Sequence, residues 1–176
     1  SHAIALFPGG FGTHDEGFEI MTLVQTGKSD PKPIVCLQAP GGDYWDHWNS
    51  FITDQLLKRR LINAEDLSLF TIVDNVEDAV TEIRTFYRRY HSLRFVGRQL
   101  AIRLKTPLSA MQVEEVQQQF SDMLTEGTFE QRPSLPEEID EPGLKDLARL
   151  TFSFNRRNAG RLRQLINHLN QLPSTA

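Results

Sequence analysis

One cysteine, Cys36, among 176 residues excludes an internal disulfide and fits a reducing, cytoplasmic compartment. Apolar runs reach only about five residues, far short of the roughly 20 that span a bilayer, and no signal-peptide pattern opens the chain. No membrane segment is expected. The histidines His2, His14, His47, His91 and His168 form no His-x-x-x-His pair, and Cys-x-x-Cys is ruled out by count. Neither a metal centre nor another cofactor is expected. Two absences are regional: no Arg or Lys precedes Lys28, and no Asp or Glu occurs from Arg84 to Val113.

The overall balance, 39% apolar and 24% charged, is that of an ordinary globular protein with one good core or two small ones. Its charge is unevenly spread. Residues 1–83 carry 13 acidic and 5 basic side chains, whereas Arg84, Arg88, Arg89, Arg94, Arg98, Arg103 and Lys105 follow without a counter-charge. Such a stretch meets nucleic acid, an anionic effector or an acidic neighbour. The aromatics Phe86, Tyr87, Tyr90 and Phe95 suit a helix core face and an entering strand, which favours the acidic neighbour or plain solvation over nucleic acid as a partner.

Chemistry concentrates at Pro8-Gly9-Gly10-Phe11-Gly12-Thr13-His14-Asp15-Glu16. Ala3 to Phe7 is a short apolar run of the kind a doubly buried strand gives, and Phe18, Met21, Thr22 and Val24 fall near helical spacing until Gly27. Strand, Gly-Gly-x-Gly and helix together let backbone N–H groups and a helix N-terminus approach a phosphate. Glycine spacing alone signals a tight turn more often than a site. Thr13-x-x-Glu16 likewise matches a capping box. Both readings are compatible with a carboxylate one turn from a bound phosphate, facing its sugar. Lys28 and Lys32 lie beyond the far end of this helix, about 20 Å from Thr13 at 1.5 Å per residue, which disfavours a lysine-based amino-acid decarboxylase.

Pro8 to Glu16 resembles the PGGxGTxxE signature of the LOG (LONELY GUY) family, long labelled lysine decarboxylases and better described as nucleotide phosphoribohydrolases. Glu19, Gln25, Gly27, the strand Pro33 to Leu37, Tyr44-Trp45 and Phe51-Ile52 stand where that family has comparable residues, so the likeness covers about Ala3 to Ile83. It implies a Rossmann-like fold, a homodimer or higher oligomer, and hydrolysis of the N-glycosidic bond of a nucleoside 5′-monophosphate to free base and ribose 5-phosphate. Carried onto this chain, it implies Glu16 as the catalytic residue, with Gly9, Gly10, Gly12, Thr13 and Glu19 binding phosphate and nucleotide. In the family a further sheet-and-helix half, with an Arg-containing motif, precedes the signature. The expectation is therefore a fragment, inactive by itself, of a catalytic parent. Asp15 and Gly17 depart from the family pattern and leave the base unspecified.

Strands near 3–7, 33–38 and 69–73 alternate with helices near 14–26, 45–59 and 75–90, which predicts an α/β fold, the carboxyl-terminal half of a Rossmann-like doubly wound parallel sheet. Val76, Ala79, Val80, Ile83 and Tyr87 form the apolar face of the third helix, capped by Asp74 or Asn75. The first domain is placed at 1–91. A small α+β unit is placed at 92–176, with two β-α units: a half-buried strand at Leu100, Ile102 and Leu104, a helix at Val113 to Met123, a polar linker from Glu126 to Gly143, a strand at Leu150 to Phe154 and a helix at Leu162 to Leu169. Arg156, Arg157, Arg161 and Arg163 at that last junction read as an exposed helix face rather than an anion site. Cys36, Trp45 and Trp48 read as core.

Two functions compete on these residues. One is the phosphoribohydrolase; the other is a non-catalytic nucleotide-binding regulatory module that uses the same glycine cradle. A purely structural assembly piece predicts no response to nucleotide at all.

Overall fold

The computed structural model describes residues 1–174 and divides into two compact units, Ser1–Phe86 with Arg157–Gln164, and Tyr87–Arg156 with the residues from Leu165 onward. In the first, strands β1 (Ile4–Leu6), β2 (Ile34–Leu37) and β3 (Thr71–Val73) form a parallel sheet in the order β1-β2-β3, with Ile4 beside Ile34 and Val35 beside Thr71. Helix α1 (Phe11–Gln25) joins β1 to β2, and α2 (Tyr44–Phe51) follows β2 and widens into a π-helical segment at Ile52–Leu57. Helix α3 (Val76–Phe86) follows β3. This is the α/β order expected of a Rossmann-like sheet.

Every residue of β2 is buried, as a central parallel strand requires, and Cys36 is fully enclosed. Burial pushes the Cys36 thiol up to about 12, which makes it a core side chain and no nucleophile. Trp45 and Trp48 join it in the core with Leu6, Ile34 and Ile52. Helix α1 ends in a Schellman motif: Gly27, at φ +70°, donates to Val24 O and Lys28 to Leu23 O. The third helix differs from expectation. Asn75 caps it by accepting from Asp78 N at 2.8 Å, but Val76 and Val80 are exposed, and Ala79 and Phe86 are the buried positions. It also stops at Phe86 rather than near residue 90, because Tyr90 already belongs to a strand.

The second unit is a four-stranded antiparallel sheet, β4 (Tyr90–Val96), β5 (Gln99–Leu104), β6 (Glu130–Arg132) and β7 (Ala148–Ser153), in the order β4-β5-β7-β6. Helix α4 (Ala110–Phe120) lies between β5 and β6, and α5 (Ala159–Gln171) follows β7. Two strands were missing from the pair of β-α units read in the sequence. The expected junction at His91-Ser92 falls inside β4, which turns at Gly97 into a hairpin with β5, and the division between the compact units lies at Phe86/Tyr87.

Neither is β5 half-buried. Ala101 and Arg103 are as enclosed as Leu100, Ile102 and Leu104, because the segment read as a polar linker supplies Glu138, itself buried. Arg103 Nε donates to Glu138 Oε1 at 2.8 Å and Arg149 Nε to Glu138 Oε2 at 2.9 Å. Around this triad Arg94 pairs with Asp140 and Glu141, and Arg103 pairs with Glu141. The acidic partners of the basic stretch are thus carried by residues 138–141.

The arginines of the β7–α5 junction are likewise not one exposed face. Arg163 is buried in the first unit, with Nη2 donating to Glu82 at 2.6 Å, Nη1 to Lys32 O at 2.9 Å, and its guanidinium 4.5 Å from the centre of the Phe86 ring. In the second unit Arg156 lies over Phe95, 4.1 Å from the ring centre.

Candidate functional site

The glycine turn sits at the carboxyl end of β1, where ligands of open parallel sheets bind. Gly10 is the residue that opens α1, and its carbonyl accepts from Thr13 N at 3.1 Å and His14 N at 3.4 Å. The N–H groups of Phe11 and Gly12 therefore have no acceptor within the helix. Helix α1 begins at Phe11, three residues earlier than a Thr13 cap requires. Thr13 lies inside the first turn, so the Thr13–Glu16 capping box is not formed, and no side chain caps this end.

Gly9 is fixed by close approach. A Cβ there would stand 2.2 Å from Thr13 Oγ1 and 3.2 Å from Thr13 Cβ, so a larger residue would displace the threonine. Around Gly10 and Gly12 nothing lies within 4 Å of an added Cβ. The side-chain directions of both glycines are open. Glu16 follows Gly12 by four residues and Glu19 follows Glu16 by three, which sets the two carboxylates on one side of α1 beyond the turn; both are exposed. Phe11, between the glycines, is 96% exposed.

Across the turn stands Tyr44, the first residue of α2. Its hydroxyl lies 2.6 Å from Gly9 O and 2.8 Å from His14 Nε2. A phenol has one proton; given to the Gly9 carbonyl, it leaves the oxygen to accept from His14, which fixes the imidazole with hydrogen on Nε2. The His14 and Tyr44 rings stack with centres 5.8 Å apart. Gln38, buried just past β2, holds this corner: its amide donates to Asp46 at 2.9 Å and Asp74 at 3.1 Å, and its oxygen accepts from Trp45 N at 2.9 Å. Trp45 Nε1 donates to Leu37 O at 3.1 Å. The Gly41-Gly42-Asp43 loop turns through a Gly42 N to Ala39 O bond of 2.8 Å and delivers Tyr44.

A cavity of about 540 Å³ opens at the carboxyl ends of all three strands, lined by Phe7, Pro8, Gln38, Pro40, Asp74 and Asn75 among others. Its size is in the range of small-molecule sites. Gly9, Gly10, Gly12, Thr13, Glu16 and Glu19 do not line it. The turn touches this cavity through Phe7 and Pro8, with its open amides beyond.

Sequence reasoning passed over Tyr44 and His14 as parts of this corner. Their signal, an aromatic opening α2 and a histidine in the first turn of α1, acquires meaning only when the fold brings together two positions 30 apart in sequence. Among the described residues no group of three or more His, Cys, Asp or Glu is arranged to hold a metal ion, and no helix is long and apolar enough to cross a membrane.

Residues 1–83 match the family model described as "Possible lysine decarboxylase". The match covers β1 to most of α3 and includes the whole glycine turn, so this part of the chain is similar to that family. No curated protein matches the chain.

Proposed function

We propose that the protein to which this chain belongs hydrolyses the N-glycosidic bond of a nucleoside 5′-monophosphate, giving free base and ribose 5-phosphate. One observation carries the proposal: at a single strand end, the helix-start amides of Phe11 and Gly12, which no side chain caps, precede by one helical turn an exposed carboxylate, Glu16. The family match over residues 1–83 supports it.

The amides of the turn and the Thr13 hydroxyl would take the 5′-phosphate, aided by the partial positive charge of the helix start. That anchor sets the ribose along α1 toward Glu16. As the C1′–N bond lengthens, the carboxylate stabilises the positive charge growing on the sugar and accepts a proton from the water that attacks C1′. The bonding electrons leave with the base, and the proton that Glu16 took from the water passes through solvent to the nitrogen released, which returns Glu16 to its ionised form. Glu19, three residues on, orients Glu16 or the ribose hydroxyls.

The test uses the full-length protein incubated with AMP and other nucleoside monophosphates, with chromatographic detection of free base. Glu16→Ala lowers base release by about a thousandfold, within the range of general acid–base contributions, while nucleotide still raises the melting temperature. Turnover equal to that of the native protein would refute the role of Glu16. Binding without release by the native protein would replace hydrolysis with a nucleotide-sensing module.

A further inference from the structure

The second unit has a hollow of its own. A cavity of about 500 Å³ opens where β5 and β6 end and β7 begins, and its wall carries Lys105, Arg132 and Lys145 against a single carboxylate, Asp146. Its size is in the range of small-molecule sites. Pro107 and Pro133 add stiff apolar surface. The wall is tied together by Gln131, whose Oε1 accepts from Leu108 N at 2.6 Å and whose Nε2 donates to Leu108 O at 3.0 Å. Strand β6 is thereby joined to the segment that follows β5.

The cations here lack the acidic partners that residues 138–141 give to Arg94 and Arg103. Among the described residues the Lys145 side chain is unpartnered, and Lys105 has only a carbonyl, its Nζ donating to Tyr87 O at 2.5 Å. Arg132 pairs with Glu130 on the exposed edge strand. Behind the wall lies a further cation. Arg89 is 2% exposed; its guanidinium donates to Thr106 Oγ1 at 3.1 Å and Pro173 O at 2.8 Å, reaches no carboxylate, and leaves Nη1 without an acceptor. Thr106 stands between Lys105 and Pro107, both in the cavity wall, and Lys105 N donates to Arg89 O at 2.8 Å.

Arg89 is enclosed and does not itself face the cavity. Its charge acts through the wall, where little water intervenes to screen it. A buried guanidinium without a counter-charge is unfavourable, and an anion nearby offsets part of that penalty. His91 on β4 registers the same field: burial, and then the charges of Lys105, Arg103 and Arg149, lower its pKa.

We propose that this cavity is a binding site for a small phosphate ester, its phosphate held by Lys105 and Lys145 and its body resting against Pro107 and Pro133. Two ammonium groups without carboxylate partners match the double charge of a phosphate monoester. A neutral molecule would leave those charges unanswered, and a bare inorganic ion would leave the apolar wall uncovered.

Phenyl phosphate is the probe; benzenesulfonate, with one charge fewer, and inorganic phosphate, without the ring, are the controls. Hydrogen exchange on the full-length protein at about 0.15 M salt reads this site and the glycine turn in separate peptides. Phenyl phosphate protects the segments Lys105 to Leu108 and Lys145 to Ala148, and binds there about tenfold more tightly than either control. Lys145→Ala removes a side chain that the fold does not use and weakens binding about fivefold, whereas Asp146→Asn removes the opposing charge and strengthens it by about the same factor. Whatever protection phenyl phosphate gives Pro8 to Glu16 is unchanged in both variants. Affinity equal to that of benzenesulfonate, or both substitutions moving affinity in one direction, overturns the proposal. So does protection confined to Pro8 to Glu16, which assigns the phosphate to the glycine turn alone, or binding seen only at low salt, which reduces the site to a diffuse attraction for ions.

Discussion

The two units use polar groups in opposite ways. At the glycine turn of the first, no side chain caps the helix-start amides, and the carboxylates of Glu16 and Glu19 are exposed. In the second, Arg103, Arg149 and Glu138 are almost wholly buried, and both guanidiniums engage the one carboxylate. The denser charge is therefore the structural one. A buried carboxylate between two guanidiniums stabilises its own surroundings and offers nothing to a ligand, whereas unpaired helix-start donors cost little in water and gain when an anion arrives.

Removing the central carboxylate tests this contrast most severely. Glu138→Gln keeps the shape of the side chain and leaves two buried guanidiniums without their shared counter-charge, a loss of about 3–5 kcal/mol on the scale of broken buried ion pairs. Hydrogen exchange in peptides covering β5 and β7 reads it as lost protection. Glu16→Ala, at an exposed position, stays within about 0.5 kcal/mol in the first unit. That unit holds both tryptophans, so fluorescence melting follows it separately. Equal stability changes at the two glutamates would erase the distinction.

Acid separates the units in the same sense. Burial by itself would raise the Glu138 pKa, but hydrogen bonds from Arg149, Leu135 N and Arg103 outweigh it and hold the carboxyl down at about 2. A folded-state value below the ordinary 4.5 means that the unfolded chain takes up the proton first. The stabilisation from Glu138 is present above pH 4.5 and is lost progressively as pH falls toward 2. His91 on β4 acts in the same direction at a higher pH, because burial and then Lys105, Arg103 and Arg149 lower its pKa and disfavour its charged form in the fold. Hydrogen-exchange protection of β4, β5 and β7, taken relative to the intrinsic rate at each pH, should fall from below pH 6.5, and most steeply below 4.5. A flat profile down to pH 3 would deny the cluster its role.

What the sequence disclosed follows from how local each signal is. Strand β2 is legible because Ile34 to Leu37 is an unbroken apolar run, and the end of α1 because Gly27 punctuates it. Strand β6 is illegible: Glu130, Gln131 and Arg132 are all exposed at a sheet edge and carry no alternation. Strand β4 is masked by His91, Ser92 and Arg94, which interrupt its apolar positions. Glu138 gives no sign of burial, since its partners stand 35 residues before it and 11 after it. At the candidate site the glycines and Glu16 are visible as a contiguous motif, but the start of α1 is misplaced by the Thr13–Glu16 pattern. Phe11 and Gly12 form the first turn in its stead, because Gly10 takes the extended cap conformation and its carbonyl receives Thr13 and His14.

The smallest effect lies at the seam between structure and site. Tyr44→Phe retains the ring that stacks on His14 and removes the hydroxyl that joins Gly9 O to His14 Nε2. Both partners lie near solvent, and water replaces much of what is lost, so the first unit loses only about 1 kcal/mol in fluorescence melting. The turn is affected more than that figure suggests. Gly9 precedes the open amides directly, and a carbonyl free to rotate lets the Gly9–Gly10 peptide depart from the orientation that aims them. Ribose 5-phosphate binding, measured by calorimetry on the full-length protein, should weaken severalfold in Tyr44→Phe, whereas Glu16→Ala leaves it nearly unchanged. If Tyr44→Phe binds the sugar phosphate as the native protein does, the hydroxyl serves only to pack α2 against the turn, and the exposed amides hold their geometry without it.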